Sequence, residues 1–192
     1  MKSTFIREIF RGLDLNQGEV DSIASTIIEL AVGKGRIILN GGQLASCLYF
    51  VGAGCLRTYA VDKGGREYTL EFAMNEWSLT DYSSLSMDED VTLKVECLQD
   101  AILYQLPREE LDLLCSRIPK IEKFYSQRLQ QALLTSQKRF LYSMMQSASE
   151  RYMMFIKMYP GINKIVKNYH IASYLGITPE SLSRVIKDLY EH

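Results

Sequence analysis

The chain has 192 residues, 47% of them apolar and 23% charged, which is enough for one sizeable core or two small domains and is not the composition of a disordered chain. The opening MKSTFIREIFRGLDL has no apolar run of signal-peptide length, and nowhere do about 18 apolar residues follow one another, so we expect a cytoplasmic protein without a membrane partner. The four cysteines stand singly, without the CxxC spacing of zinc and iron–sulfur sites, and we expect core thiols and no metal.

The formal net charge of −1 hides an uneven distribution along the chain. Residues 1–119 carry 11 Lys and Arg against 18 Asp and Glu, whereas residues 120–192 carry 11 against 5. A basic segment attached to an acidic body favours a polyanion-binding end, because Lys and Arg beside phosphates release condensed counterions. A merely solvated basic face is the alternative that charge alone leaves open.

Helices and then short strands make up the first part of the sequence. TFIREIF and EVDSIASTIIELA have apolar residues at helical spacing. Between residues 33 and 106 the pattern changes to the short runs RIIL, CLYFV, CLRTYAV, REYTLEFA, VTLKVECL and AILYQL, separated by glycine-containing turns. Residues 1–118 are therefore predicted to form an antiparallel β-roll of the jelly-roll type within an α+β protein.

Residues 119–147 are predicted to form one long helix, because no proline interrupts it after Pro119. Its apolar stripe recurs every three or four positions, at Ile121, Tyr125, Leu129, Ala132, Ser136, Phe140 and Met144. Ala132 and Ser136 let two backbones approach closely, so we expect the helix to pair with a second copy in a homodimer. Packing back onto its own domain is the alternative.

Residues 148–192 are predicted to form a helix-turn-helix DNA-binding domain, because they contain IASYLGITPESLSRVIKDL. Ala172 is small, Gly176 can supply the positive φ of the turn, and Thr178 is a suitable N-cap before Pro179. The apolar residues that lock the second helix against the first are Ile171, Leu175, Ile177, Leu182 and Val185.

The face that remains exposed carries groups that can bind base edges and phosphates of double-stranded DNA. These residues are Thr178, Glu180, Ser181, Ser183, Arg184 and Lys187. Lys167, which precedes the motif, is expected to hold the DNA backbone. A two-fold dimer predicts an operator that is an inverted repeat.

The order of β-roll, long helix and helix-turn-helix, with YFVGAGCLRTYAVDKGGREYTLEFA and IASYLGITPESLSRVIKDL, resembles the Crp/Fnr family of bacterial transcription regulators over nearly the whole chain. The resemblance implies a cyclic-nucleotide-binding-like sensor, a dimerisation helix and a winged helix-turn-helix whose second helix enters the major groove. It assigns base reading to Glu180 and Arg184. Pro179 stands where the family often has a basic residue, and GINKIVKNY leaves room for only a short wing. RNA polymerase is a further candidate partner.

The resemblance also implies a phosphate pocket built on a Gly-Glu turn and an Arg-Ser or Arg-Thr pair. The corresponding stretch, residues 75–96, has neither, because no glycine occurs between Gly65 and Gly161 and no arginine between Arg66 and Arg108. A buried phosphate needs such a guanidinium, so we expect no response to cyclic AMP and no cofactor. The weaker pocket candidates for an unidentified effector are Trp77 and Tyr82.

The sequence thus predicts a homodimeric DNA-binding transcription regulator with a degenerate nucleotide pocket. A regulator that binds cyclic nucleotide in a non-standard pocket and a β-roll interaction module that does not bind DNA are the alternatives. An enzyme is disfavoured, because the sensor half has no histidine base and the chain has no GxGxxG motif and no nucleophile-elbow sequence.

Overall fold

The computed structural model describes residues 2–40, 47–74 and 92–190 of the chain. The helices in these ranges are α1 (Lys2–Ile9), α2 (Gln17–Thr26), α3 (Arg108–Arg117), α4 (Pro119–Met145), α5 (Ala148–Met158), α6 (Asn168–Leu175) and α7 (Pro179–Tyr190). The strands are β1 (Ile28–Val32), β2 (Ile37–Asn40), β3 (Cys47–Ala53), β4 (Leu56–Val61), β5 (Glu67–Ala73), β6 (Thr92–Cys97) and β7 (Ala101–Pro107). A 3-10 turn, Ile162–Lys164, precedes α6.

The strands form two antiparallel sheets, as the sequence predicted. Their orders are β1-β7-β3 and β2-β6-β4-β5. Apolar side chains such as Leu56, Val95 and Leu103 fill the space between them. The α+β class and the β-roll are therefore confirmed.

Strand β1 corrects the expectation of a helix through residue 31. Helix α2 begins with a capping box between Asn16 and Glu19 and ends at Thr26. The chain turns extended at Ile27, and β1 pairs with β7 in the register Leu30↔Leu103. Consecutive β-branched residues favour the extended conformation, and the free edge of β7 supplies hydrogen-bond partners that a helix would not use.

The N-terminal helices, α3 and the start of α4 cover the β1-β7-β3 sheet. Ile6 and Ile121 meet there in one buried cluster, and the Phe5 and Tyr104 rings stack with centroids 4.0 Å apart. This packing anchors the first turns of α4 to the β-roll. The rest of α4 extends beyond this core, and Ile121 is its one fully buried residue within the described ranges.

Helix α4 stops where a new capping box starts α5. The Ser147 hydroxyl accepts from the Glu150 N–H, and the Glu150 carboxylate accepts from the Ser147 N–H at 2.8 Å. A change of direction between two helices is thereby built from local hydrogen bonds. It separates the long helix from the C-terminal helices.

Helices α5, α6 and α7 pack into a third buried cluster. Its members include Tyr152, Ile171 and Leu182, but also Cys55 and Phe72 of the β-roll. The C-terminal helices therefore share their core with the β2-β6-β4-β5 sheet. Instead of the expected wing, the segment before α6 is a 3-10 turn, and residues 148–190 contain no strand.

Candidate nucleic-acid interface

Helices α6 and α7 form the predicted helix-turn-helix. Gly176 ends α6 in the left-handed conformation, with φ 68°, and the Ile177 N–H reaches back to the Ala172 carbonyl oxygen at 3.0 Å. Ala172 and Leu182 are fully buried between the helices. A larger residue at 172 would separate the helices, which explains why a small side chain is needed there.

Helix α7 begins as the sequence predicted. The Ser181 N–H donates to the Thr178 hydroxyl at 3.2 Å, and Pro179 occupies the first helical position. The Glu180 backbone N–H, the Thr178 hydroxyl and the nearby Arg184 charge lower the pKa of the Glu180 carboxyl. Glu180 is therefore an anion at neutral pH and can accept hydrogen bonds from a base edge.

One face of α7 is exposed and polar, and the opposite face is buried and apolar. Leu182 and Val185 are buried against α5 and α6. The exposed face carries Glu180, Ser183, Arg184 and Lys187. Spacings of three, four and seven residues place these four side chains in one arc of the helix, so all four can approach a groove together.

The other predicted DNA contacts flank this face. Thr178 is exposed and Ser181 half-buried at the start of α7. The Ser183 hydroxyl donates to the Pro179 carbonyl at 3.0 Å, which leaves its oxygen as an acceptor. Lys167 is exposed at the N-cap position of α6, with its Nζ 5.7 Å from the Tyr169 ring centroid.

The predicted dimer stripe of α4 is buried at the start of the helix and largely exposed over the rest of its length. Ile121 and Tyr125 pack into the core of their own sensor, and Ala132 is half-buried. Leu129 and Ser136 lie on the exposed side. Phe140 and Met144 lie there too, 65% and 71% exposed.

The exposed part of α4 carries apolar residues besides those of the predicted stripe. Leu133, Leu134, Leu141 and Met145 are each at least half exposed. Leu134, Leu141 and Met145 follow one another at seven and four residues, and Leu133 lies four residues after Leu129, which is the helical spacing that could have identified them. An apolar face of this length on a solvent-facing helix indicates an interaction surface. We call the exposed apolar side chains between Leu129 and Met145 the α4 face.

The β-roll interior offers little to a charged ligand in the described residues. The pocket candidates Trp77 and Tyr82, and the stretch aligned with the phosphate pocket up to residue 91, lie outside those residues. The described interior is lined by apolar residues. Arg57, the one charged side chain buried in these ranges, is paired with Glu67 and Glu96 instead.

Of the four cysteines expected in the core, Cys55 and Cys97 are buried, whereas Cys47 and Cys115 are only half-buried. Burial raises the pKa of the Cys55 thiol to about 12 and that of Cys97 to about 11, which keeps both protonated. Residues 2–40, 47–74 and 92–190 contain no group of three acidic, cysteine or histidine side chains able to hold a metal ion.

Within the same ranges no helix is both long and apolar enough to cross a bilayer.

Comparison with known proteins matches the β-roll to a protein family. Residues 29–117 match the cyclic nucleotide-binding domain. The anaerobic regulatory protein of Haemophilus influenzae is 22% identical over 185 residues, which cover 90% of this chain and 71% of that protein.

Solved structures share the fold. FixK2 from Bradyrhizobium japonicum superposes with a TM-score of 0.72 at 18% identity, over 86% of this chain and 85% of that one. A protein assigned to the Crp/Fnr family of transcriptional regulators from Eubacterium rectale gives 0.68 at 24% identity, over 91% and 83% of the two chains. The fold is therefore common to all three chains over most of their length.

Proposed function

We propose that the chain belongs to the Crp/Fnr family of DNA-binding transcription regulators and that it reads its operator as a homodimer through the exposed face of α7. Each copy would place one α7 in the major groove of one half-site. The operator would then be an inverted repeat whose half-sites lie about one helical turn apart. The proposed protein is cytoplasmic, and its partner is the double-stranded DNA of the operator. We propose no catalytic activity for the chain.

The observation that supports this proposal best is the division of α7 into two faces. Glu180 and Arg184 are exposed beside one another, with the polar Ser183 between them. Arginine can donate two hydrogen bonds to guanine, and a carboxylate can accept from cytosine. The left-handed turn at Gly176 holds α7 across α6, as groove reading requires.

The dimer is proposed to form through the α4 face. Phe140 and Met144 would meet their copies across a two-fold axis, which would remove two of the most exposed apolar side chains of the helix from water. Ser136, Gln137, Phe140 and Leu141 line a shallow depression where a partner side chain could seat. Ile121 and Tyr125 would support this interface by anchoring α4 to its own sensor.

Regulation is proposed to work without the phosphate contacts of a cyclic-nucleotide pocket. Residues 75–96 lack glycine and arginine, and the buried Arg57 is engaged by carboxylates. Binding of cyclic AMP would remove its phosphate from water, and without an arginine beside the phosphate no charged hydrogen bonds would offset that free-energy cost. A β-roll module that does not bind DNA is the second candidate function, but it would have no use for the polar face of α7.

In vitro selection from a random duplex library tests the proposal. The purified chain should enrich an inverted repeat, and fluorescence anisotropy should give the same affinity for it with and without cyclic AMP. Recovery of a single half-site would contradict the dimer. A library that shows no enrichment would contradict sequence-specific DNA binding.

A further inference from the structure

Helix α6 contacts the sensor sheet as well as its neighbouring helices. Its partner there is β5, the edge strand of the four-stranded sheet. The Thr69 backbone N–H donates to the Ser173 Oγ at 2.9 Å, and that hydroxyl donates to the Glu67 carbonyl oxygen at 3.0 Å. One side chain of the DNA-binding helices thus bonds two backbone groups on a free sheet edge.

Arg139 of α4 binds the same strand at Leu70, the residue after Thr69. The pairing of β4 with β5 shifts between Thr58 and Tyr59, and Leu70 has no partner in that register. The Arg139 guanidinium donates to the Leu70 carbonyl oxygen and lies 4.8 Å from the centroid of the Tyr174 ring. Arg139 therefore connects the long helix, the sensor edge and α6 at one point.

A buried polar cluster joins the sheet to α6 beside these contacts. Arg57 of β4 is 1% exposed and donates to the Glu67 carboxylate at 2.6 Å and to His170 Nδ1. Its guanidinium also lies 3.3 Å from Glu96 and 3.9 Å from the Tyr59 ring centroid. A buried guanidinium needs partners, so removing α6 would leave it with an unmade hydrogen bond.

Aromatic packing completes this contact. Phe72 of β5 is fully buried, with its ring centroid 5.9 Å from that of Phe155 and 5.8 Å from that of Tyr159. The Tyr174 ring lies 5.6 Å away on α6. Separation of the C-terminal helices from the sheet would expose Phe72 to water. The free-energy cost of that exposure favours the docked position of these helices over free movement relative to the sheet.

We propose that this contact, made by Arg57, Glu67 and Thr69 of the sensor with His170 and Ser173 of α6, is an interdomain joint that holds α7 ready for DNA. We define the interdomain joint by these five residues. Changes in the sensor sheet would then alter operator affinity through it. This inference rests on the proposed function.

The direction of the effect follows from what the joint leaves exposed. Glu180 and Arg184 stay accessible while His170 and Ser173 are engaged. Docking therefore restricts rotation of the reading helix without covering it. A helix that is already oriented loses less freedom on binding, so a loosened joint should weaken operator binding.

The test compares Ser173→Ala with Ser25→Ala, whose hydroxyl donates to the Ser22 carbonyl oxygen within α2. Hydrogen exchange of the β5 segment, measured by mass spectrometry, reports the joint directly. Fluorescence anisotropy on the duplex selected by the wild-type chain reports operator affinity. Ser173→Ala removes both hydrogen bonds of this hydroxyl, so it should speed exchange at β5 and raise the operator Kd about three- to tenfold, while Ser25→Ala changes neither.

Arg57→Met provides a second, stronger variant, with the exposed Arg11→Met as its control for lost charge. Unchanged exchange in both joint variants would show that the joint contributes nothing to docking. Faster exchange with unchanged affinity, or tighter operator binding, would overturn the proposed coupling. If the wild-type chain selects no duplex, the proposed function is wrong, and the proposed coupling to operator affinity is wrong with it. The hydrogen-exchange data would still show whether the interdomain joint holds α6 against the sheet.

Discussion

Arg184 and Lys167 are both cationic, but they differ in position. Arg184 lies on the exposed face of α7 beside Glu180, whereas Lys167 precedes α6. Arg184→Ala should cost about 1–3 kcal/mol at one base pair and relax the preference there, because a base-edge contact is lost. Affinities for a panel of single-base operator variants measure this directly.

Lys167→Ala is the matched control for that prediction. It should weaken all sequences alike and reduce the salt dependence of binding by about one ion, because a phosphate contact carries no base information. Equal losses at every base for Arg184→Ala would mean that α7 does not read the groove.

His170 is held in its neutral form by the interdomain joint. Its Nδ1 faces the Arg57 guanidinium, which can only donate, so Nδ1 must accept and the proton lies on Nε2. Nε2 is 3.9 Å from a Glu96 carboxylate oxygen. Burial, and then the Arg57 charge, lower the pKa of His170 to about 4 from 6.5, with Lys167 also lowering it and Glu67 acting in the opposite direction.

A pH dependence of stability follows from this shift. Below pH 6.5 His170 becomes protonated in the unfolded chain, whereas in the folded chain it stays neutral down to about pH 4. The contribution of His170 to the free energy of unfolding is therefore fully present above pH 6.5 and decreases as the pH falls from 6.5 to about 4. His170→Asn can still accept from Arg57 but does not titrate. Denaturant unfolding of both proteins between pH 4.5 and 6.5 should show a smaller slope for the variant, and identical slopes would contradict the assignment.

Gly176 decides the geometry of the helix-turn-helix element through its backbone alone. Its φ is 68°, and a Cβ added there would meet no atom within 4 Å. Gly176→Val should therefore cost about 1–3 kcal/mol from conformational strain without a steric clash. Thermal unfolding and operator binding should both be impaired.

Gly176→Asn separates strain from size. Asparagine tolerates the left-handed region, so this variant should retain most of the stability and operator affinity that valine removes. If asparagine and valine reduced stability and operator affinity equally, the position would exclude any side chain, and the positive φ would not be the reason for glycine.

The α4 face sets the assembly of the whole molecule. Phe140 is 65% exposed, and in the proposed dimer its aspartate replacement would bury an unpaired charge in each copy. Phe140→Asp should therefore be monomeric at micromolar concentrations where the wild type sediments as a dimer. Operator affinity should fall together with the dimer, since one half-site alone remains bound.

Leu113→Asp is the control for this prediction. Leu113 is an exposed apolar residue of α3, 47% accessible, so the same chemical change is made away from the α4 face. It should leave the sedimentation coefficient unchanged. A dimer that survives Phe140→Asp would place the interface elsewhere on the molecule.

The sequence by itself determined the features that depend on neighbours a few residues apart. The positive φ at Gly176, the Thr178 cap and the polar arc of α7 follow from spacings within one or two helical turns. Helix α4 was predictable for the same reason, as was the alternation of strands and glycine turns. Local sterics and periodicity are sufficient for such features.

Only the tertiary structure decided which faces meet. β1 formed because β7 offered an edge, although its residues had been predicted to be helical. Ile121 and Phe140 belong to one periodic stripe, but the sensor core buries the first and leaves the second exposed. Arg57 and His170 are separated by 113 residues in the chain, so no local pattern could pair them. Burial and long-range hydrogen bonds depend on the packing of whole elements, which periodicity within one element does not specify.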